Sequence, residues 1–153
     1  MYSYLLTLHS LFRWLVLVSL LISILIAYRS WKRRSVFTPF ANQLRHWTAT
    51  ITHLQLLIGV AIYFQSPVVK HPMPVPAHQL INEQIFFKYI HIGLMLLSIV
   101  LVTIGSAKAK RMPTGTEKYR TMLIWFILAL LIIFIAIPWP FSPFAARPYS
   151  RTF

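Results

Sequence analysis

The stretch TMLIWFILALLIIFIAI (Thr121–Ile137) contains no charged residue and is followed directly by Pro138. An α-helix rises about 1.5 Å per residue, so this run and the aromatic segment after it can cross a hydrocarbon core of about 30 Å. Backbone polar groups cannot stay unpaired in lipid, which makes the segment helical. Pro138 lacks an amide hydrogen and is expected to stop or kink the helix. The stretch therefore predicts a membrane-spanning helix and an all-α fold.

Three further stretches have the same character. We predict spans at about residues 4–28, 45–65, 85–107 and 120–138, and the first is interrupted by strongly polar residues only at His9 and Arg13. No segment between them has the length or composition of a separate soluble domain. We therefore expect one integral membrane four-helix bundle over residues 1–153.

Composition excludes several classes of function. The chain has 15 lysines and arginines against two acids, Glu83 and Glu117, which gives a net charge of +13. It has no cysteine, so disulfides, thiolate catalysis, iron–sulfur clusters and cysteine zinc sites are excluded. The isolated acids argue against hydrolysis by paired carboxylates. The bases stand in short clusters between apolar runs, so we expect a lipid bilayer and not nucleic acid as the partner.

The basic residues also predict an orientation. Most lie around the connection after the first span and the connection between the third and fourth spans. They are Arg29, Lys32, Arg33, Arg34 and Arg45, and then Lys108, Lys110, Arg111, Lys118 and Arg120. Loops rich in lysine and arginine stay in the cytoplasm. We therefore expect a multi-pass protein with the N-terminus and the C-terminus outside.

Three histidines fall within the predicted spans, where ionisable side chains are costly and mark functional positions by default. His9 and His91 lie about 8 and 9 Å from the outer ends of their spans, whereas His53 lies about 16 Å deep. The first and third spans are diagonal neighbours in a bundle with short connections. His9 and His91 could thus bind one haem iron from opposite sides, with His53 as an alternative ligand or a hydrogen-bonding group. Plain interhelical hydrogen bonds are the structural alternative.

Arg13 lies four residues after His9 and shares its helix face. No acid lies within a predicted span, so we expect a haem propionate, an anionic lipid or an anionic substrate as its counter-charge. The alternative is that Arg13 extends to lipid phosphates at the outer surface.

Weaker candidates surround these residues. Gly59, like Gly93 and Gly105, could let the backbone approach a flat ring or could serve helix packing. Met95 could be a sulfur ligand or a packing residue. The possible quinone-binding or supporting polar residues are Gln55, Thr50, Thr52, Ser98 and Thr103. Copper in the proline-rich outer loop is a further hypothesis, and its candidate ligands are His71, Met73 and His78.

Four segments carry a resemblance to known proteins: LHSLFRWLVL (Leu8–Leu17), HLQLLIGVAIYF (His53–Phe64), KYIHIGLMLLSIVLVTIGSAKAK (Lys88–Lys110) and YRTMLIWFILALLIIFIAIPWPF (Tyr119–Phe141). Together they resemble a family of short bacterial four-span membrane proteins named cytochrome B. The positions involved are His9, Arg13, Trp14, His53, Gln55, Gly59, His91, Gly105 and Pro138 to Pro140. The resemblance implies haem b, electron transfer and the bacterial inner membrane. That family often has an acid before the third-span histidine, where this chain has Ile90.

A second similarity is weaker. Membrane protoporphyrinogen oxidases of the b-haem type share the size, the span number and a first-span histidine, but here the first-span pattern is limited to Leu8–His9. We expect a b-type cytochrome that passes electrons from membrane quinol to a redox protein on the outer face. Its haem would be bound by His9 and His91, with Arg13, His53, Gln55 and Gly59 nearby. The alternatives are a haem-free accessory or scaffold subunit of a larger membrane complex, and a haem-dependent oxidase of porphyrin or quinol.

Overall fold

A computed structural model describes residues 1–71, 82–142, 145 and 147–149 of the chain. In this part the long helices are helix 1 (Tyr2–Lys32), helix 2 (Pro39–Gln65), helix 3 (Glu83–Arg111) and helix 4 (Gly115–Ala136). A helical turn at Pro67–Lys70 follows helix 2, and none of the described residues forms a β-strand. All four helices are long and apolar enough to cross a membrane, so the predicted all-α four-helix fold is confirmed.

The helices form a four-membered ring. Helix 1 packs against helices 2 and 4, and helix 3 packs against the same two, so helices 1 and 3 are diagonal as predicted. The connection between helices 1 and 2 meets the start of helix 4: a Cβ atom added at Gly115 would lie 2.8 Å from the Ser35 carbonyl oxygen. The two basic connections are therefore neighbours, and we call this end of the bundle the basic end.

Capping residues make two helices longer than the predicted spans. Helix 2 begins at Pro39 instead of about residue 45, because the Thr38 hydroxyl accepts a hydrogen bond from the Ala41 amide at 3.1 Å. Helix 4 begins at Gly115 instead of about residue 120, where Thr114 and Glu117 cap each other reciprocally. Both helices therefore begin several residues before the predicted membrane spans, which were based on hydropathy and not on the caps.

Helix 4 ends at Ala136, two residues before the predicted boundary. Its last backbone hydrogen bond runs from the Ile137 N–H to the Ile133 carbonyl oxygen at 3.0 Å. Pro138 and Pro140 have no amide hydrogen and cannot extend this ladder. The carbonyl of Ala136 is consequently left free to accept a bond from outside helix 4.

Much of the apolar surface faces outward. At most 39% of the most apolar window of each helix is buried inside the bundle. Exposed side chains such as Leu15, Leu57 and Leu131 need an apolar surrounding, which the membrane provides. The interior contains fully buried Leu20 and Phe126. The molecule therefore has the architecture of a multi-pass membrane protein.

Candidate functional site

A cavity of about 390 Å³ opens among the four helices at the end opposite the basic end. Most of its lining is apolar and comes from all four helices and the turn after helix 2. Its chemically versatile lining residues are His9, Arg13, Gln55, His91 and Arg147. We call this space the outer cavity. Its volume lies within the range of about 300–1,000 Å³ that is usual for small-molecule sites.

His9 and His91 lie together at this cavity although they belong to diagonal helices. Their ring centroids are 6.4 Å apart, and the ring planes are inclined by 68°. Depth counting along the sequence predicted that they would share a level, and the structure brings them together.

The ring of His91 is held by the end of helix 4. Its Nδ1 atom lies 2.8 Å from the Ala136 carbonyl oxygen, which can only accept, so Nδ1 carries the proton and donates. The neutral ring then keeps an unprotonated Nε2, the form that binds a metal ion. A π-helical turn at Phe86–His91 leads into this position, a local geometry that is common at functional sites. The rings of Phe86 and Phe87 lie 5.9 Å from the His91 ring on its own helix.

His9 is packed against helix 2. Its Nδ1 atom is buried and has no hydrogen-bond partner among the described residues. A Cβ atom added at Gly59 would lie 3.2 Å from His9 Cε1, so the flat ring that approaches this glycine is the imidazole itself. Gln55 donates from Nε2 to the His9 carbonyl oxygen at 3.0 Å, while its Oε1 atom is buried without a partner.

Arg13 is held by neutral groups. Its Nη2 donates to the Tyr149 carbonyl oxygen, and Trp14 Nε1 donates to the same oxygen at 3.2 Å. The guanidinium carbon lies 5.5 Å from the Trp14 ring centroid and 5.9 Å from that of Trp139. Its Nε atom is buried and has no acceptor in the part of the chain that is described. Arg13 thus lines the cavity with a positive charge that no carboxylate of the described residues neutralises.

Arg147 is a second cation at the cavity, and the sequence analysis did not select it. It donates two hydrogen bonds of 2.7 Å to the carboxylate of Glu83, at the start of helix 3. Its guanidinium carbon lies 5.4 Å from the Phe87 ring centroid. With only two acids in the chain, Glu83 was a signal that a basic partner should be sought, but nothing local identified Arg147 as that partner.

The structure places His53 elsewhere, which corrects its expected role as an alternative iron ligand. Its Nδ1 atom lies 2.6 Å from the Ala49 carbonyl oxygen, and its Nε2 atom lies 3.0 Å from Thr103 Oγ1. It lines a separate cleft near the basic end. Thr52, the residue before it, lines the outer cavity. One helical residue turns about 100°, which is enough to carry His53 away from that cavity.

The other candidate residues, two glycines and one methionine, also differ in their surroundings. Gly105 serves helix packing, because an added Cβ would collide with the Trp125 side chain, whereas Gly93 borders open space. Met95 lines the outer cavity.

The copper hypothesis falls largely outside the described residues, which do not include Met73 and His78. The backbone carbonyl of His71 accepts a bond from Gln84 Nε2 at 2.7 Å. Within the described ranges, no group of three or more histidine or acidic side chains is arranged to hold a metal ion.

Comparisons with known proteins return no match: no protein-family model, no curated protein and no solved structure is significantly similar to this chain. What the cavity can do is therefore argued from its geometry.

That geometry fits a bound flat molecule. Of the buried side-chain atoms left without a hydrogen bond in the described parts, three belong to residues that line the outer cavity: His9 Nδ1, Arg13 Nε and Gln55 Oε1. Buried polar groups of folded proteins are nearly always satisfied, so a cluster of unsatisfied ones points to a missing ligand or to water. Most of the lining is apolar, the two imidazole rings lie 6.4 Å apart in an edge-on arrangement, and Arg13 and Arg147 also line the cavity.

Proposed function

We propose that the protein is a small b-type cytochrome in which His9 and His91 would hold the iron of one haem in the outer cavity. The observation that carries the proposal is the 6.4 Å separation of the two ring centroids. Imidazole binds a metal ion at about 2.0–2.1 Å, and the ring centre lies about 1.1 Å further, so two rings that share one metal ion have centres up to about 6.3 Å apart. The observed separation is close to this value, which supports the proposal.

The hydrogen bonding of His91 supports the same assignment. Metal-bound histidines usually donate their other ring nitrogen to a carbonyl or a carboxylate, which fixes the tautomer. His91 donates in this way to the Ala136 carbonyl oxygen. The His9 ring is held instead by packing against Gly59.

The chain supplies binding, orientation and electrostatics. When bound, haem supplies a carrier that accepts and releases one electron at a time. If both His9 and His91 held the iron, no position would be left open for a substrate, and the chemistry supplied would be electron relay and not oxidase chemistry. Arg13 provides an uncompensated positive charge for the carboxylates of the group, and the apolar walls exclude water. We propose membrane quinol as the electron source and a redox protein on the outer face as the acceptor.

The location follows from the same proposal. Loops rich in lysine and arginine remain in the cytoplasm, so the basic end would face inward and the outer cavity would open near the opposite surface. We assign the protein to the inner membrane of a bacterium, in agreement with the cytochrome B resemblance.

An absorbance spectrum tests the proposal. Protein purified after expression with added haem should show a b-type α-band in the reduced-minus-oxidised difference, with one haem per chain. The reduced protein should not bind carbon monoxide. No α-band, or a stoichiometric larger partner without a chromophore, would overturn the proposal in favour of the accessory-subunit alternative. Carbon monoxide binding would instead indicate an open position and the oxidase alternative.

A further inference from the structure

The cleft that contains His53 is a second site. It lies between helices 2 and 3 near the basic end and has a volume of about 280 Å³. Its polar lining residues are Arg45, His46, Thr50, His53, Thr103, Ser106 and Lys110. None of these residues belongs to the outer cavity, so whatever binds here is independent of the proposed haem.

Arg45 is the buried element of the cleft, with 6% of its surface exposed. Its Nη1 donates to the Ser106 carbonyl oxygen at 2.9 Å and also to the Ser106 hydroxyl, and its Nη2 donates to Asn42 Oδ1 at 2.8 Å. These acceptors are all neutral. The Nε–H group is buried and has no acceptor among the described residues.

The charge of Arg45 has no carboxylate to balance it among the residues that the structure describes. The two acidic side chains of the sequence are engaged elsewhere. Glu83 pairs with Arg147 at the other end of the bundle, and the carboxylate of Glu117 accepts bonds from the Thr114 amide and hydroxyl at 3.2 and 2.7 Å. Lys110 adds a second positive charge to the same cleft. A buried cation without a counter-charge is costly, so an anion from outside the chain is expected here.

The two helices that form the cleft also carry exposed apolar side chains. Trp47 and Leu54 on helix 2 and Ile104 on helix 3 are 59%, 44% and 40% exposed, and each follows or precedes a cleft residue in the sequence. A molecule that pairs with the cations of the cleft and also contacts these exposed apolar side chains has an anionic head group and apolar chains. Basic pockets between membrane helices on the cytoplasmic side are typical sites for anionic lipid headgroups.

We propose that this cleft binds the phosphate of an anionic phospholipid, with Arg45 and Lys110 as the cations that contact it. The Nε–H of Arg45 supplies the donor that the protein leaves unused. The geometry favours one lipid per chain and not a diffuse attraction, because the arginine is already fixed by Ser106 and Asn42.

Native mass spectrometry of the full-length protein in detergent tests the proposal. Titration with phosphatidylglycerol should show one saturable adduct, whereas phosphatidylcholine and inorganic phosphate should give none at the same concentrations. Lys110→Gln should weaken binding about fivefold. Arg45→Lys keeps the charge but removes the Nε–H and the planar fork, and it should weaken binding about tenfold.

Lys108→Gln is the matched control. Lys108 lies two residues before Lys110 and carries the same charge, but it faces the Trp125 ring and does not line the cleft. Lys108→Gln should leave the lipid affinity unchanged. Equal losses for Lys108→Gln and Lys110→Gln would overturn the specific site, as would equal binding of the two lipids. Adducts with inorganic phosphate that match those of phosphatidylglycerol would overturn the lipid assignment. Lys110 is exposed, so the test holds even if Arg45 variants fail to fold.

Discussion

The outer cavity and the cleft near the basic end contain the same kinds of residue but use their histidines differently. Each holds an arginine without a carboxylate partner in the described structure. In the cleft, both ring nitrogens of His53 have hydrogen-bond partners. In the cavity, His9 Nδ1 has no hydrogen-bond partner among the described residues. His91 uses its Nδ1 atom for a bond to the Ala136 backbone carbonyl. A histidine inside a membrane helix thus indicates a ligand site only when its nitrogens are left available.

The largest expected difference between the two regions is in haem binding. His9→Ala and His91→Ala should each abolish the b-type spectrum that we propose, because each would remove one of the two residues that hold the haem iron in that proposal. His53→Ala is the control and should keep the spectrum, since His53 lies in the cleft. Absorbance of the reduced and oxidised variants measures this. A spectrum lost in His53→Ala but kept in His9→Ala would reverse the assignment.

A second comparison uses two glycines near the cavity. Gly59→Ala puts a methyl group 3.2 Å from His9 Cε1 and should lower haem affinity about tenfold, which corresponds to a packing cost of about 1–3 kcal/mol. Gly93→Ala meets nothing within 4 Å and should leave the affinity unchanged. Haem titration of the apoproteins measures both. Equal effects of Gly59→Ala and Gly93→Ala on haem affinity would contradict the proposal that the His9 ring beside Gly59 binds the haem.

A third comparison concerns polar partners. Gln55→Leu removes the hydrogen bond to the His9 carbonyl and should lower haem affinity about fivefold, in line with a net value of about 1 kcal/mol for such a bond. Thr103→Val removes a partner of His53 in the cleft and should not change haem affinity. The same titration distinguishes them. An effect of Thr103→Val as large as that of Gln55→Leu would show that the two regions are coupled.

The smallest expected effect is at the rim of the cavity. Glu83→Gln breaks the ion pair with Arg147. The side chain of Glu83 is 36% exposed and that of Arg147 is 26% exposed. An ion pair with this much exposure contributes about 0–1 kcal/mol, so thermal unfolding should change by little. A large drop in melting temperature would mean that this pair holds the structure together, and the cavity with it.

The sequence predicted the features that depend on hydropathy and on counting along helices. Long apolar runs gave four helices, and short connections placed helices 1 and 3 on a diagonal. Depth counting from the helix ends predicted that His9 and His91 would share a level. These features follow from a fixed rise per residue and a fixed membrane thickness.

Features that depend on rotation about a helix axis or on distant contacts were not predictable. His53 and Thr52 are adjacent in sequence but face different spaces, and hydropathy does not encode which face packs inward. The bond from Arg13 to the Tyr149 carbonyl joins residues far apart in the chain. The early starts of helices 2 and 4 were readable from Thr38 and from the Thr114–Glu117 pair, and the sequence analysis overlooked them.

Electron paramagnetic resonance of the oxidised protein tests most directly whether His9 and His91 share one iron. We predict a low-spin ferric signal with two imidazole ligands that disappears in both His9→Ala and His91→Ala and persists in His53→Ala. A high-spin signal in the unsubstituted protein, or a low-spin signal that survives either of the first two substitutions, would contradict the account.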